Sequence, residues 1–134
     1  MLEHKGDIMC LWIRSTLVIL FLLCMATVVN AGDVRKDVWI NAMSTALPTA
    51  FCQSNQYFRQ CFEVTQIACE ETASSAARIC LNKYRAEIPD VLNQPKDGTH
   101  WGSIIGKCAG EAYEMALLKK RINSEACNNI ANWQ

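Results

Sequence analysis

Apolar and polar side chains alternate with the period of an α-helix through residues 58–84, a stretch that contains neither Gly nor Pro. At 100° per residue the apolar and small side chains share one face, which carries Cys61, Cys69 and Cys80. Charged side chains such as Glu70 lie on the opposite face. Because the pattern keeps its phase from end to end, it predicts one long amphipathic helix with all three sulfurs facing the core.

Two further segments show the same period. In residues 33–47, Asp33 is placed to cap a helix and Pro48 to end it, since Pro disfavours helix at the residue before it. Residues 101–122 carry another continuous apolar arc, and Thr99 is the expected cap. These segments predict the second and third main helices of the chain.

The connections between these helices are short. We expect residues 90–93 to form a single helical turn between two prolines, and residues 95–98 to form a β-turn. Residues 124–134 are mostly polar and are expected to form a strap rather than a helix. No β-hairpin is predicted. The fold class is therefore an all-α, small helical bundle with three main helices.

The first residues have the features of a targeting segment. Residues 16–29 are mainly apolar, Arg14 precedes them, and the small-residue pattern Val29-Asn30-Ala31 follows. The apolar run is shorter than the ~20 residues that span a bilayer, which disfavours an uncleaved signal anchor. We therefore predict a signal peptide over residues 1–31, cleaved after Ala31, and a single domain over residues 32–134. The mature protein should be secreted or periplasmic and have no stable membrane anchor.

Cysteine usage agrees with export. The chain has eight cysteines, of which Cys10 and Cys24 belong to the predicted signal peptide. An even number in an oxidising compartment predicts three disulfides among those that remain. These are Cys52, Cys61, Cys69, Cys80, Cys108 and Cys127. Metal binding is the less favoured alternative, because residues 32–134 hold no C-x-x-C pair and a single histidine. No metal and no cofactor are expected.

Helix geometry narrows the possible pairings. On one continuous helix, successive cysteines of residues 58–84 would be ~12 and ~16 Å apart along the axis. A disulfide needs Cα atoms within ~7 Å, so each of these three must pair with a cysteine outside the helix. The long and last helices should be antiparallel neighbours, with their cysteines at similar depths. The predicted set is Cys80–Cys108, Cys52–Cys61 and Cys69–Cys127, with exchange of the partners of Cys52 and Cys127 as the open alternative.

A glycine stripe runs along the last helix. Gly102, Gly106 and Gly110 recur at every fourth residue, and each costs ~1 kcal/mol against Ala in a helix interior. The favoured explanation is close approach by another helix backbone. The alternative is a groove for a second copy or a partner. Lys107 and Glu111 exclude a membrane-type interface on this helix.

Candidate chemistry is sparse. His100 is the one imidazole of residues 32–134, with Asp97 three positions before it and Ser103 three positions after it. This order allows a nucleophile, a base and an orienting group, but a histidine at a helix start is more often a surface or capping residue. Trp101 is the adjacent aromatic, a residue type that anchors interfaces. Asp97, His100, Trp101 and the three glycines are therefore the candidate interaction residues.

The charge balance gives no indication of a partner. The formal net charge is zero, which gives no argument for nucleic acid as a partner. The function that we predict is a non-enzymatic, protein-binding module of the inhibitor or immunity type, whose partner is another exported or periplasmic protein. The alternatives are a carrier of a small apolar or lipid ligand and, less favoured, a small hydrolase that uses His100. The cysteine spacing does not identify a family.

Overall fold

The computed structural model describes residues 32–133. Within them, three main helices and three disulfides confirm the predicted all-α bundle. The elements in chain order are β1 (Asp33–Arg35), α1 (Lys36–Phe51), α2 (Tyr57–Gln60), α3 (Gln66–Tyr84), β2 (Val91–Asn93), α4 (Lys96–Ala116), a 3₁₀ turn (Leu118–Lys120), α5 (Glu125–Asn128) and a second 3₁₀ turn (Ile130–Trp133). The predicted signal peptide, residues 1–31 with cleavage after Ala31, lies outside the described residues. Each helix within residues 32–133 is too short or too polar to cross a membrane.

Helix α3 is the central element, because it packs against both α1 and α4 while those two contact each other only slightly. Its buried face consists mainly of alanines and cysteines, whose small side chains let the flanking helices approach closely. The largest fully buried side chains of the core are Tyr113, Phe62, Ile88, Leu92 and Ile105.

Helix α1 differs from its predicted bounds at both ends. Asp33 belongs to β1 and does not cap the helix, which begins at Lys36. The predicted stop at Pro48 is wrong, because the helix continues to Phe51 and the N–H of Cys52 donates to the Pro48 carbonyl at 3.1 Å. Pro48 is buried, so tertiary packing offsets the helix hydrogen bond that its ring removes.

The predicted long helix is interrupted. Residues 61–65 are not helical and separate α2 from α3. Thr65 is the N-cap of α3, and its hydroxyl accepts a hydrogen bond from the N–H of Ala68 at 3.1 Å. The helical period of residues 58–84 therefore spans two helices and the loop between them.

A distant segment of the chain explains the interruption. The N–H of Ile122 donates to the Cys61 carbonyl at 2.9 Å, and the N–H of Glu63 donates to the Lys120 carbonyl at 2.8 Å. These backbone groups pair across the fold rather than within a helix. Their partners are about 60 positions away, so the local pattern holds no signal of the break.

Two of the three predicted disulfides are corrected. Cys80 pairs with Cys108 as predicted, with Cα atoms 5.9 Å apart. The predicted pairs Cys52–Cys61 and Cys69–Cys127 are wrong. The chain has Cys52–Cys69 and Cys61–Cys127 instead, which is the exchange that the sequence left open. The reason is the loop at residues 61–65, which takes Cys61 out of the axis of α3.

A small sheet replaces the predicted turns before the last helix. Strand β1 pairs antiparallel with β2, and Val34 lies opposite Leu92. Residues 91–93 are thus extended rather than helical. Helix α4 begins at Lys96, inside the predicted β-turn and ahead of the predicted cap Thr99. A salt bridge of 2.8 Å between Lys36 and Asp90 joins the start of α1 to the approach of β2.

The C-terminal strap is held at several points. Helix α4 ends at Ala116 rather than at the predicted Ile122. Beyond it, α5 is tied to the loop at residues 61–65 by Cys61–Cys127. The indole N–H of Trp133 donates to the Ala126 carbonyl at 2.9 Å. The strap therefore contains short helical turns that the sequence did not predict.

Candidate interaction surface

The three glycines of α4 have different surroundings. A Cβ atom on Gly110 would lie 3.0 Å from Cζ of Phe58, whereas a Cβ on Gly102 would reach only the Met43 methyl group at 4.0 Å. A Cβ on Gly106 would have no neighbouring atom within 4 Å. The expected close approach of another helix backbone is therefore wrong for this stripe. A phenyl ring covers one end, and the middle of the stripe faces open space.

The ring of Phe58 is held firmly over Gly110. It stacks on Phe51 with ring centres 4.2 Å apart, and it meets the ring of Tyr113 edge-on at 5.1 Å. The hydroxyl group of Tyr113 also donates to the Phe58 carbonyl at 2.9 Å. Burial raises the pKa of Tyr113 from its ordinary value of 10.0 to about 12, so this donor keeps its proton well into the alkaline range. The covered end of the stripe is a rigid aromatic layer.

The residues at the start of α4 have structural contacts. The carboxylate of Asp97 accepts a hydrogen bond from the N–H of Asn93 at 2.8 Å and so ties β2 to the first turn of the helix. His100 is exposed, and its ring meets that of Trp101 edge-on at 5.3 Å. Trp101 is half-buried, with Tyr84 6.5 Å away between ring centres. His100 and Trp101 form a partly accessible aromatic pair six and five positions before Gly106.

Among the described residues, no hydrogen bond joins His100 to Asp97 or to Ser103. The Asp97 carboxylate already has a backbone partner. The described part of the chain also holds no group of three or more His, Cys, Asp or Glu side chains that could bind a metal ion.

The sequence did not single out an open groove between α3 and α4. It has a volume of about 340 Å³ and is lined mainly by small side chains. The lining residues are Glu71, Thr72, Ser75, Ala76, Ile79, Ala112 and Ala116. Ile79 is 58% exposed at its edge. The available signal is an apolar residue, Ile79, on α3 and alanines spaced four apart on α4, a pattern that equally predicts buried core.

Comparison with known proteins identifies the family. The model of a family described as the T2SS (type II secretion system) substrate NttA matches residues 33–121, which is more than half of the chain. The chain belongs to the NttA family. No curated protein and no solved structure matches it.

The NttA match extends from β1 to just beyond the first 3₁₀ turn. The matched residues include the glycine stripe of α4 and the groove between α3 and α4. They end before Cys127 and the C-terminal strap. Because NttA is a secretion substrate, membership of its family supports the predicted export of this chain. Paired cysteines and export are consistent with each other.

Proposed function

We propose that this exported domain is a non-enzymatic protein-binding module, a rigid helical scaffold of the inhibitor or immunity type. Gly106 is the observation that supports the proposal. A glycine in a helix interior costs ~1 kcal/mol against alanine, yet no described atom within 4 Å of a Cβ requires glycine here. Internal packing therefore gives no reason for this residue, and a contact from outside the domain does.

The surroundings of Gly106 fit a protein partner. His100 and Trp101 lie six and five positions earlier on the same helix, and a tryptophan that can be covered by a partner is a frequent anchor of binding energy. The missing side chain leaves a notch into which a side chain of the partner fits. The partner is another exported protein, and three disulfides keep the scaffold rigid before binding.

We also propose that the protein acts outside the cell after passage through a type II secretion system. This proposal rests on the description of the matching family. Immunoblotting of culture supernatant and periplasm should find the protein in the supernatant of cells with an intact secretion system. In cells without that system it should remain in the periplasm. Equal release from both strains would contradict the proposal.

The binding function is tested by filling the notch. Gly106→Leu should fold normally, because its side chain enters open space, but should lose the partner that the wild-type protein retains on an affinity matrix. Lys107→Leu is the matched control, since it adds a similar side chain at the next, exposed position. A partner retained equally by all three proteins would refute the role of the notch. Size-exclusion chromatography of the same variants reveals whether the partner is a second copy.

The groove between α3 and α4 favours a second candidate, the carrier of a small apolar ligand. Its floor of Ala76, Ala112 and Ala116 is apolar, and pockets of ~300–1,000 Å³ accommodate small molecules. An environment-sensitive apolar dye should bind the wild-type protein, and Ala112→Phe should abolish that binding by filling the groove. Gly106→Leu should leave dye binding unchanged. The two variants therefore distinguish the carrier function from the protein-binding function.

A further inference from the structure

Helices α1 and α3 enclose a second groove whose lining is chemically unlike the first. It has a volume of about 330 Å³ and opens on the side of α1 that carries hydroxyl groups. Its lining residues are Ser44, Thr45, Pro48, Thr49, Glu70 and Ser74. Every polar side-chain atom in this set is an oxygen. We call it the oxygen-lined groove.

The hydroxyl groups of α1 already donate their protons within the helix. Ser44 donates to the Asn41 carbonyl at 2.7 Å, and Thr49 donates to the Thr45 carbonyl at 3.1 Å. Thr45 also donates to the Asn41 carbonyl, at 3.4 Å. A hydroxyl has one proton to donate and two lone pairs that accept. These three groups therefore present acceptors to the groove.

Pro48 adds to this imbalance between donors and acceptors. It has no backbone N–H, so the carbonyl of Ser44 lacks the donor that a helix normally supplies four residues later. The ring of Pro48 also gives the groove an apolar wall. The α1 side of the groove thus combines acceptor oxygens with a hydrocarbon surface.

Glu70 supplies a negative charge from the α3 side. One of its carboxylate oxygens accepts a hydrogen bond from the side chain of Gln66 at 2.7 Å. Among the described residues, no Lys, Arg or His forms a salt bridge with Glu70. The groove accordingly has a carboxylate without a salt-bridge partner among the described residues, beside three α1 hydroxyl groups whose protons are directed to backbone carbonyls.

We propose that the oxygen-lined groove binds a primary alkylammonium group. Such a group has a positive charge and three N–H donors, which complement Glu70 and the α1 hydroxyls, and its alkyl chain fits against Pro48. A sugar is a poorer match, because the lining has no aromatic ring. A divalent metal ion is also a poorer match, because the lining has one carboxylate. The ammonium group belongs either to a free polyamine or to a lysine side chain of a protein.

In the test, n-butylammonium is titrated into the exported, disulfide-bonded protein. Binding is measured from the NMR chemical shifts of the backbone amides. Signals of residues 44–49 and 70–74 should move to saturation, and tetramethylammonium, which has the charge but no N–H, should not reproduce this. Glu70→Gln should weaken binding by ~5-fold, the upper range for an exposed charge pair. Glu71→Gln is the matched control, because Glu71 lines the other groove, and it should bind like wild type.

Three results would overturn the proposal: no saturable shifts in these residues, equal shifts with tetramethylammonium, or equal weakening by Glu71→Gln and Glu70→Gln. Thr49→Val tests the hydroxyls separately and should also weaken binding, since it keeps the shape of the side chain but removes its oxygen. Titrations with spermidine and with Nα-acetyl-lysine methylamide then distinguish the two sources. Tighter binding of spermidine indicates a free polyamine, and tighter binding of the lysine derivative indicates a protein side chain.

Discussion

Phe58 lies directly against Gly110, so that a Cβ atom on this glycine would be 3.0 Å from the Cζ atom of the ring. The glycine stripe of α4 is therefore required by internal packing at Gly110, and not at Gly106. Two positions one helical turn apart have opposite surroundings, which makes their substitution a direct test of the fold around the stripe.

Gly106→Ala should stabilise the protein by ~1 kcal/mol, because alanine favours the helix and meets no neighbour. Gly110→Ala should destabilise it by ~1–3 kcal/mol through overpacking, since Phe58 is stacked on Phe51 and cannot move freely. Urea denaturation of both variants measures the two free energies of unfolding. A Gly110→Ala protein that is more stable than wild type would show that the ring yields.

Thr65→Ala should lower the free energy of unfolding by ~1 kcal/mol, because the N–H of Ala68 loses the hydroxyl that caps α3. Thr65→Ser keeps the hydroxyl and should remain close to wild type. Thermal unfolding of the two variants compares them. If neither substitution changed the free energy of unfolding, Thr65 would not be the cap of α3.

The two corrected disulfides should differ in their contribution to stability. Cys61–Cys127 closes a segment of 66 residues and Cys52–Cys69 one of 17, which correspond to about 4 and about 3 kcal/mol in the chain-entropy model. Replacing both cysteines of each pair by Ala gives matched variants, since all four are buried. Denaturation should show the larger loss for the 61/127 variant. Peptide mapping without reduction checks the pairing itself, and a Cys52–Cys61 peptide would contradict it.

Stability should fall steeply above pH 10 because of Tyr113. Its pKa is raised by burial from the ordinary value of 10.0 to about 12, so the unfolded chain loses this proton first as the pH rises. The contribution is complete below pH 10 and is lost as the pH rises through about 12, by ~2–3 kcal/mol in total.

Tyr113→Phe provides the comparison, because it cannot ionise at this position. Its stability should be lower than that of wild type at pH 7 by ~0.5–1.5 kcal/mol, the usual contribution of the lost hydrogen bond to the Phe58 carbonyl. It should also lack the Tyr113 part of the decline between pH 10 and pH 12. Parallel declines in both proteins would show that Tyr113 is not the group responsible.

The sequence was sufficient where local pattern and packing agree. Cys80 and Cys108 could be paired because both lie on amphipathic helices that pack side by side. The break at residues 61–65 could not be predicted, because it depends on backbone hydrogen bonds to residues 120–122. Pro48 departs from the prediction for a related reason, since it is buried inside a helix that the local rule would end.

The candidate surface also combines features that the sequence predicts with features that depend on tertiary packing. The three glycines were visible in the sequence as a stripe, but only the surrounding structure separates the covered Gly110 from the open Gly106. The oxygen-lined groove was not predicted, because its residues come from two helices whose relative rotation is set by tertiary packing. Hydroxyl groups on an exposed helix face are otherwise ordinary.

The pairing of Cys52 with Cys69 places Cys61 between two bonded neighbours in the chain order. Synthesis delivers Cys52 and Cys61 before Cys69, and Cys127 comes last of all. An oxidant that joined thiols in the order of synthesis would therefore form the incorrect Cys52–Cys61 disulfide first. Correct maturation needs α1 and α3 to associate before their sulfurs react, or a thiol exchange that repairs the early error. On the first route Cys61 persists as a thiol until Cys127 arrives, and on the second an exchange reaction frees it for that final bond.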